Sequence, residues 1–385
     1  MKITHVGPSR LPLLFQYGGA IQRRIVELAK TQAERGHEVT VYSPGATDQA
    51  IDHMGVEVRC IPCKSQGILG DIEFQLRAVR DMGNREVDIL HFHSNPEGAA
   101  LSQGIPARKV LSYDNYFFRR GRQTPLYLLY RSFLKRFDLL LPCSQYTLDE
   151  SRRYWRLGPS RIRVLYNGVN LRQFHPDPAL RAAERGALGI NTEKHVILYL
   201  GRVCWQKGSD VLLDASRRLS AKRHDIQLVV AGPIGQFGND SRSAFWAERI
   251  REVGGSYLGA VSERRVAAVL NMADVFVMPT RELEMFGMAA VEAQACGKPV
   301  VASDHGGLRE TVPEACGGRF PTGDSEALAS KIEELVDHAD VYRRCSANAL
   351  ANAAKYSWEQ ICTALDSLYR MPAVGEAQVE VLKQM

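Results

Sequence analysis

Short apolar runs alternate with segments of helical period along most of the chain. Residues 2–6 form a strand-like run, and a Pro/Gly-containing loop follows that ends at Gly18-Gly19. Ile21, Ile25, Leu28, Ala29 and the Gln32-Ala33 pair then mark one apolar face of a helix. Gly36-His37 stops that helix, and 38–42 reads as the next strand. Further strands are predicted at 88–92, 109–113 and 138–142, the last followed by a helix from about Ser144. This alternation predicts a parallel sheet covered by helices.

Near 167 the texture changes. Asn167-Gly168-Val169-Asn170 is a turn signal, followed by Phe174, Pro176 and a polar stretch around Pro178. A second alternating series has strand-like runs at 195–200, 226–231, 256–258, 275–278 and 299–302. The expected fold class is therefore α/β, with two doubly wound halves joined near 167–178. Their expected limits are 1–170 and 171–357, with an amphipathic helix from Trp358 to about Tyr369 and a weakly ordered tail over 373–385.

Composition narrows the function classes. At roughly 150 residues per domain, 385 residues suggest two or three domains. The chain is 45% hydrophobic and 24% charged, so two sizeable cores form without disulfide or metal staples. The net charge of 49 − 43 = +6 is mild. Nucleic-acid binding calls for a stronger, clustered basic signature, and an anionic substrate fits better. Of the eight cysteines, Cys60 and Cys63 form a C-x-x-C, but no second pair stands at zinc-site spacing, so reduced thiols are expected. Residues 1–7 lack the apolar core of a signal peptide, and no apolar run reaches about 18 residues, so a cytoplasmic location is expected.

Open parallel sheets bind ligands outside the carboxyl ends of their strands, and two such halves facing each other make a cleft. Four strand-end segments carry chemistry. In Gly201-Arg202-Val203-Cys204-Trp205-Gln206-Lys207-Gly208, Gly201 allows close backbone approach. Arg202 and Lys207 place two cations where a diphosphate leaving group needs neutralising, unless they are merely solvated surface charges. In the segment Glu284-Met285-Phe286-Gly287-Met288-Ala289-Ala290-Val291-Glu292, Gly287 permits a sharp entry into a helix whose first amides point outward. Two carboxylates bracketing that terminus suit vicinal hydroxyls, although both also suit plain helix capping. Gly18-Gly19 lets a phosphate or another backbone approach the first helix. His305-Gly306-Gly307 forms the fourth strand end, with His305 as plausibly a helix-entry residue as a functional one.

With Tyr17-Gly18-Gly19-Ala20, Arg35-Gly36-His37-Glu38-Val39, Asn167-Gly168-Val169-Asn170, Ala231-Gly232-Pro233, Tyr257-Leu258-Gly259 and Ala273-Asp274, these segments cover nearly the whole chain. Together they resemble glycosyltransferase family 4, retaining enzymes of the GT-B fold. The resemblance implies two Rossmann-like domains facing across a cleft, the N-terminal one for the acceptor and the C-terminal one for the donor. It also implies that a C-terminal helix, about 358–372, crosses back to the N-terminal domain.

By the same resemblance Glu292 holds the donor ribose, and Glu284 lies beside the donor sugar with the backbone amides of Phe286, Gly287 and Met288. Arg202 and Lys207 clamp the diphosphate beside Gly201, Gly18 and Gly19 sit against the phosphates, and the backbone near Val261 meets the nucleobase. No obligatory metal is implied. The family default is a UDP-linked hexose or N-acetylhexosamine, transferred to an acceptor hydroxyl by a front-side route in which the leaving phosphate helps deprotonate the acceptor.

One position departs from the family. After the strand at 109–113 the family often carries a His near the reacting sugar, and here Asp114 stands in its place. Asp114, His91 and His93 are the candidates to take over that role. Over 117–137 basic and aromatic residues interleave, which suits either peripheral docking on an anionic membrane or an aromatic-packed helix with its charges in water. Two other functions share this architecture: a nucleotide-sugar 2-epimerase, which is not expected to carry the Glu-x7-Glu segment, and a non-catalytic sugar-nucleotide-binding protein. The acceptor has no legible motif.

Overall fold

The computed structural model describes residues 1–8, 19–65, 67–114, 125–158, 161–235 and 243–372. The expectations for Gly18, for 117–124 and for the tail at 373–385 lie outside the described residues. The chain divides into two units, Met1–Asn167 with Trp358–Met385, and Gly168–Ser357.

The first unit is built on a seven-stranded sheet. Its strands are β1 (Lys2–Val6), β2 (Glu38–Gly45), β3 (Gln49–His53), β4 (Val56–Pro62), β5 (Ile89–His93), β6 (Arg108–Tyr113) and β7 (Leu139–Pro142), in the order β3-β4-β2-β1-β5-β6-β7. All neighbours pair in parallel except β3 and β4. That antiparallel hairpin turns through Met54 and Gly55, both at positive φ. Neither of its strands is among the predicted runs. In β3 four of five positions are exposed, so it carries no apolar signature.

The helices of this unit are α1 (Ala20–Glu34), α2 (Gly67–Met82), α3 (Gly98–Leu101), α4 (Pro125–Leu134) and α5 (Gln145–Trp155). Ser144 caps α5 by accepting from the Thr147 amide at 3.1 Å.

The second unit carries α6 (Pro178–Ala187), α7 (Ser209–Ser220), α8 (Ser243–Glu252), α9 (Glu263–Met272), α10 (Met288–Ala295), α11 (Leu308–Thr311), α12 (Ser325–Asp337) and α13 (Ala339–Ala354). Its sheet runs β10-β9-β8-β11-β12-β13, built from β8 (His195–Leu200), β9 (Ile226–Ala231), β10 (Ser256–Tyr257), β11 (Val275–Met278), β12 (Val300–Ser303) and β13 (Gly317–Phe320). Every pair is parallel.

A final helix, α14 (Trp358–Arg370), returns to the first unit. Its stripe Trp358, Ile361, Leu365 and Tyr369 keeps helical spacing and packs on Ile3, Ile89, Val110 and Leu141 of the seven-stranded sheet. At about 1.5–3 kcal/mol per fully buried large side chain, that stripe suffices to hold the crossover.

Strand order reverses between β1 and β5 in the first sheet and between β8 and β11 in the second. Ligands of such sheets bind beyond the strand carboxyl ends at these switch points. In the second unit the segments at that place are 201–208 and 279–287.

Candidate functional site

The two segments are sewn together by backbone geometry. After β8 the chain passes Gly201 and Arg202 and makes one 3-10 turn, Trp205–Lys207. Gly208 follows at φ +71, and a Cβ there would stand 1.7 Å from the Pro279 carbonyl oxygen. Only glycine allows that approach. The Gln206 carbonyl accepts from the amides of Arg281 and Glu282, at 3.0 and 3.1 Å, and from the Thr280 hydroxyl at 3.2 Å. A bidentate pair reinforces the seam: Arg281 grips the Asp210 carboxylate, its shortest contact 2.6 Å, while its guanidinium lies 5.2 Å from the Trp205 ring centroid.

This seam carries Lys207 to Glu284, with Nζ donating to Oε2 at 2.6 Å. The Glu284 backbone is fixed as well, because its carbonyl accepts from the Gly307 amide at 2.8 Å. Gly287 takes φ +85 as the residue before α10, with Leu308 Cδ2 only 2.6 Å from where its Cβ would be. Phe286 is buried with its ring edge-on to Tyr356, and its carbonyl accepts from Thr311 Oγ1 at 2.8 Å. Its side chain is therefore structural, and only its backbone remains for a ligand. Met288 opens α10, and Glu292, five positions in from Gly287, is 3% exposed.

The structure thus brings Gly201, Arg202, Lys207, Glu284, Gly287 and Met288 to one strand-end region, with Glu292 buried behind it. Arg202 is exposed, and its carbonyl accepts from the Tyr199 hydroxyl at 2.6 Å. Val261 is half-buried just before α9. His305 is a half-buried helix-entry residue whose carbonyl accepts from Leu308.

In the first unit Gly19 precedes α1 with extended backbone. Asp114, at the end of β6, is an ion-pair partner: Arg24 Nη1 donates to it at 2.8 Å and Asn167 Nδ2 at 3.3 Å. Arg24 is 1% exposed and also reaches Ser112 Oγ at 3.1 Å.

His91 and His93 lie wholly inside. His91 contacts Tyr369 Oη at 2.6 Å and Ser112 Oγ at 2.7 Å, and His93 Nε2 contacts His5 Nδ1 at 2.9 Å. Burial pushes the His5 pKa down to about 4 and those of His91 and His93 well below the ordinary value. Of the three candidates for the family's missing His, Asp114 alone retains appreciable exposure, 20% of its side chain.

Arg24, Asp210, Arg281 and His5 are absent from the predicted site. Arg24 had a legible signal, a cation set in the apolar stripe of Ile21, Ile25 and Leu28, whereas the Asp210–Arg281 pair had none at 71 positions apart.

In 117–137 the described part divides its aromatics. Tyr127 and Phe137 are buried, Tyr127 stacking on Trp155 at 5.0 Å. Leu128 and Leu129 are exposed instead, 60% and 48%, beside exposed Lys135 and Arg136. Among the described residues no helix is long and apolar enough to cross a membrane.

A family model for Glycosyltransferase Family 4 matches residues 17–173, and one for Glycosyl transferases group 1 matches 181–351. A phosphatidyl-myo-inositol mannosyltransferase of Mycobacterium leprae is 27% identical over 96% of this chain and 98% of its own length. A D-inositol 3-phosphate glycosyltransferase of Thermobispora bispora is 34% identical, over 58% of this chain and 54% of that protein. Among solved structures, sucrose-phosphate synthase from Thermosynechococcus elongatus superposes with a TM-score of 0.77 at 21% identity, over 96% of this chain and 98% of that one. Anabaena HepE in complex with UDP and glucose gives 0.77 at 21% identity, over 96% of this chain and 100% of that one.

Proposed function

The chain belongs to glycosyltransferase family 4 and has its two-domain GT-B fold, and from that premise we propose that it moves a hexose or N-acetylhexosamine from a UDP-sugar to an acceptor hydroxyl with retention of configuration. The observation that carries this reading is the seam between 201–208 and 279–287. It holds a cation, Lys207, and a carboxylate, Glu284, 2.6 Å apart at the switch point of one sheet.

Each group has a distinct task. Lys207 and Arg202 neutralise the diphosphate as the bond to the sugar lengthens, which lowers the barrier because the charge grows in the transition state. Lys207 is held by Glu284, an ion pair that orders its side chain for the diphosphate. Glu284 then accepts from donor-sugar hydroxyls, and the outward amides of Gly287 and Met288 add their dipoles. Glu292 accepts from the ribose hydroxyls, and the backbone near Val261 meets the base. The two cations and the helix terminus carry the charge that a metal carries elsewhere, so no obligatory metal is assigned. Retention follows a front-side course, the departing phosphate oxygen taking the acceptor proton.

Acceptor handling falls to the N-terminal unit. Asp114 contributes there as a carboxylate oriented by Arg24 and Asn167. The inositol-bearing acceptors named for the relatives above guide the choice of acceptors, and exposed Leu128 and Leu129 beside Lys135 and Arg136 support peripheral contact with an anionic membrane.

A panel of nucleotide sugars, each with inositol phosphate, phosphatidylinositol or buffer, scored by nucleoside diphosphate release, tests the reading. Acceptor-dependent release from one UDP-sugar is expected. Release from none of them, or an epimerised sugar from donor alone, refutes it.

A further inference from the structure

The buried histidines of the first unit form a group that the transfer reaction does not use. His91 and His93 are two apart on β5, so they face the same side of the sheet. His5 on β1 is register-paired with His91. One ring nitrogen from each lies within 4.8 Å of the others, and the ring centroids are 5.2, 5.2 and 4.4 Å apart. Three imidazoles on one tetrahedral ion, with bonds of about 2.0–2.1 Å, need ligand nitrogens roughly 3.3 Å apart. His5 Nδ1 and His93 Nε2 are already 2.9 Å apart, and His91 Nε2, which contacts Ser112 Oγ at 2.7 Å, must turn from that hydroxyl to complete the set.

The surroundings match a ligand shell. Metal-binding histidines characteristically anchor their other nitrogen on a fixed polar partner. Here His5 Nε2 meets Gln32 Oε1 at 2.7 Å and His91 Nδ1 meets Tyr369 Oη at 2.6 Å, one partner from each covering helix. The hydrogen-bond network assigns the protons. Gln32 Oε1 takes the N–H of His5 Nε2, which leaves His5 Nδ1 to accept from His93 Nε2. His93 binds an ion through Nε2 only by giving up that proton, and its Nδ1, fully buried with no partner, is the one outer nitrogen of the three rings without an anchor.

Burial also keeps all three rings neutral, the form that ligates. The nearby cation, Arg24, is neutralised by its ion pair with Asp114. An all-imidazole set without a carboxylate excludes Ca²⁺ and Mg²⁺ and selects a late first-row ion.

We propose that His5, His91 and His93 form a three-imidazole site for one late transition-metal ion of the Zn²⁺ class, set in the core of the N-terminal unit and independent of the donor chemistry. Tag-free, EDTA-stripped full-length protein is titrated with Co²⁺ and followed by visible absorption. The expected result is an intense tetrahedral spectrum, without the near-ultraviolet band of thiolate ligands, saturating at one equivalent and abolished by one equivalent of Zn²⁺. His93→Gln is expected to abolish the spectrum. Should that variant fail to fold, Tyr369→Phe, which keeps the packing and loses only the outer-shell hydroxyl, is expected to weaken Zn²⁺ affinity about 10–100-fold. Only weak octahedral absorption from the wild type, equal binding by His93→Gln, or unchanged affinity in Tyr369→Phe overturns the proposal and leaves the triad as a hydrogen-bonded core cluster only.

Discussion

Lys207→Ala separates a diphosphate clamp from a surface ion pair, because the two roles differ widely in magnitude. Lys207 and Glu284 are in contact at 2.6 Å with side chains 27% and 20% exposed. As a partly solvated pair the contact stabilises the fold by at most about 1 kcal/mol. In a unit of this size that is a shift of roughly 2–4 °C in Tm. As a clamp the same ammonium faces charge that develops on the leaving diphosphate. A unit charge at about 4 Å and an effective dielectric near 20 gives roughly 4 kcal/mol, and losing one preorganised oxyanion donor typically costs about 2.7–4 kcal/mol. Glu284 draws off part of that field, so about a hundredfold is the expected loss of turnover, with KM for the donor changing much less. The assay is nucleoside diphosphate release at saturating donor, with a thermal melt alongside. Lys207→Arg, which keeps the charge, should retain most of the rate. Turnover within about threefold of wild type in Lys207→Ala refutes the clamp, and a Tm loss beyond about 5 °C shows that the pair is structural instead.

Three further outcomes follow from the packing. Gly208→Ala puts a Cβ 1.7 Å from the Pro279 carbonyl at φ +71, which costs about 1–2 kcal/mol in backbone strain alone. It should lower Tm and UDP affinity together, and a variant that melts and binds like wild type shows that the two segments are not rigidly joined. Asp274→Ala strips the carboxylate that Arg181 and buried Arg185 share, at 2.6 and 2.5 Å. Leaving that charge unpaired should cost about 3–5 kcal/mol, read as a lower urea midpoint, and a midpoint within experimental error of wild type contradicts it. For His5 the ordinary pKa is 6.5 and the folded one about 4, so between those values the unfolded chain binds the extra proton. Stability is therefore full above pH 6.5 and falls on acidification, by roughly 3 kcal/mol from His5 once pH 4 is reached. His91 and His93 shift the same way. Equal urea midpoints at pH 7 and pH 5 show that the triad does not stay neutral in the folded core.

What the sequence disclosed depended on whether a physical signal was local. The strands at 195–200, 226–231 and 275–278 appear with the predicted limits because their apolar runs are buried on both faces of a parallel sheet. β3 went unread because its side chains face water, and β13 because Gly317-Gly318-Arg319-Phe320 offers no apolar run. Cys60 and Cys63, the C-x-x-C pair, are free thiols, the first in the core as part of β4 and the second half-buried. At the site, Lys207 and Glu284 were visible as residue types at strand ends, yet the Arg281–Asp210 grip that reinforces the seam between their segments exists only in three dimensions. Asp114 reads as a lone substitution in the sequence and as the acceptor of a buried arginine in the fold.

Titration calorimetry with UDP and with 2′,3′-dideoxy-UDP, against wild type and Glu292→Gln, tests the donor assignment most directly. With Glu292 on the ribose hydroxyls, wild type should bind UDP about 10–100-fold more tightly than the dideoxy analogue, the worth of hydrogen bonds to a charged group. Glu292→Gln should lose most of that preference while melting like wild type. Equal affinity of wild type for both nucleotides, or an undiminished preference in Glu292→Gln, contradicts the account.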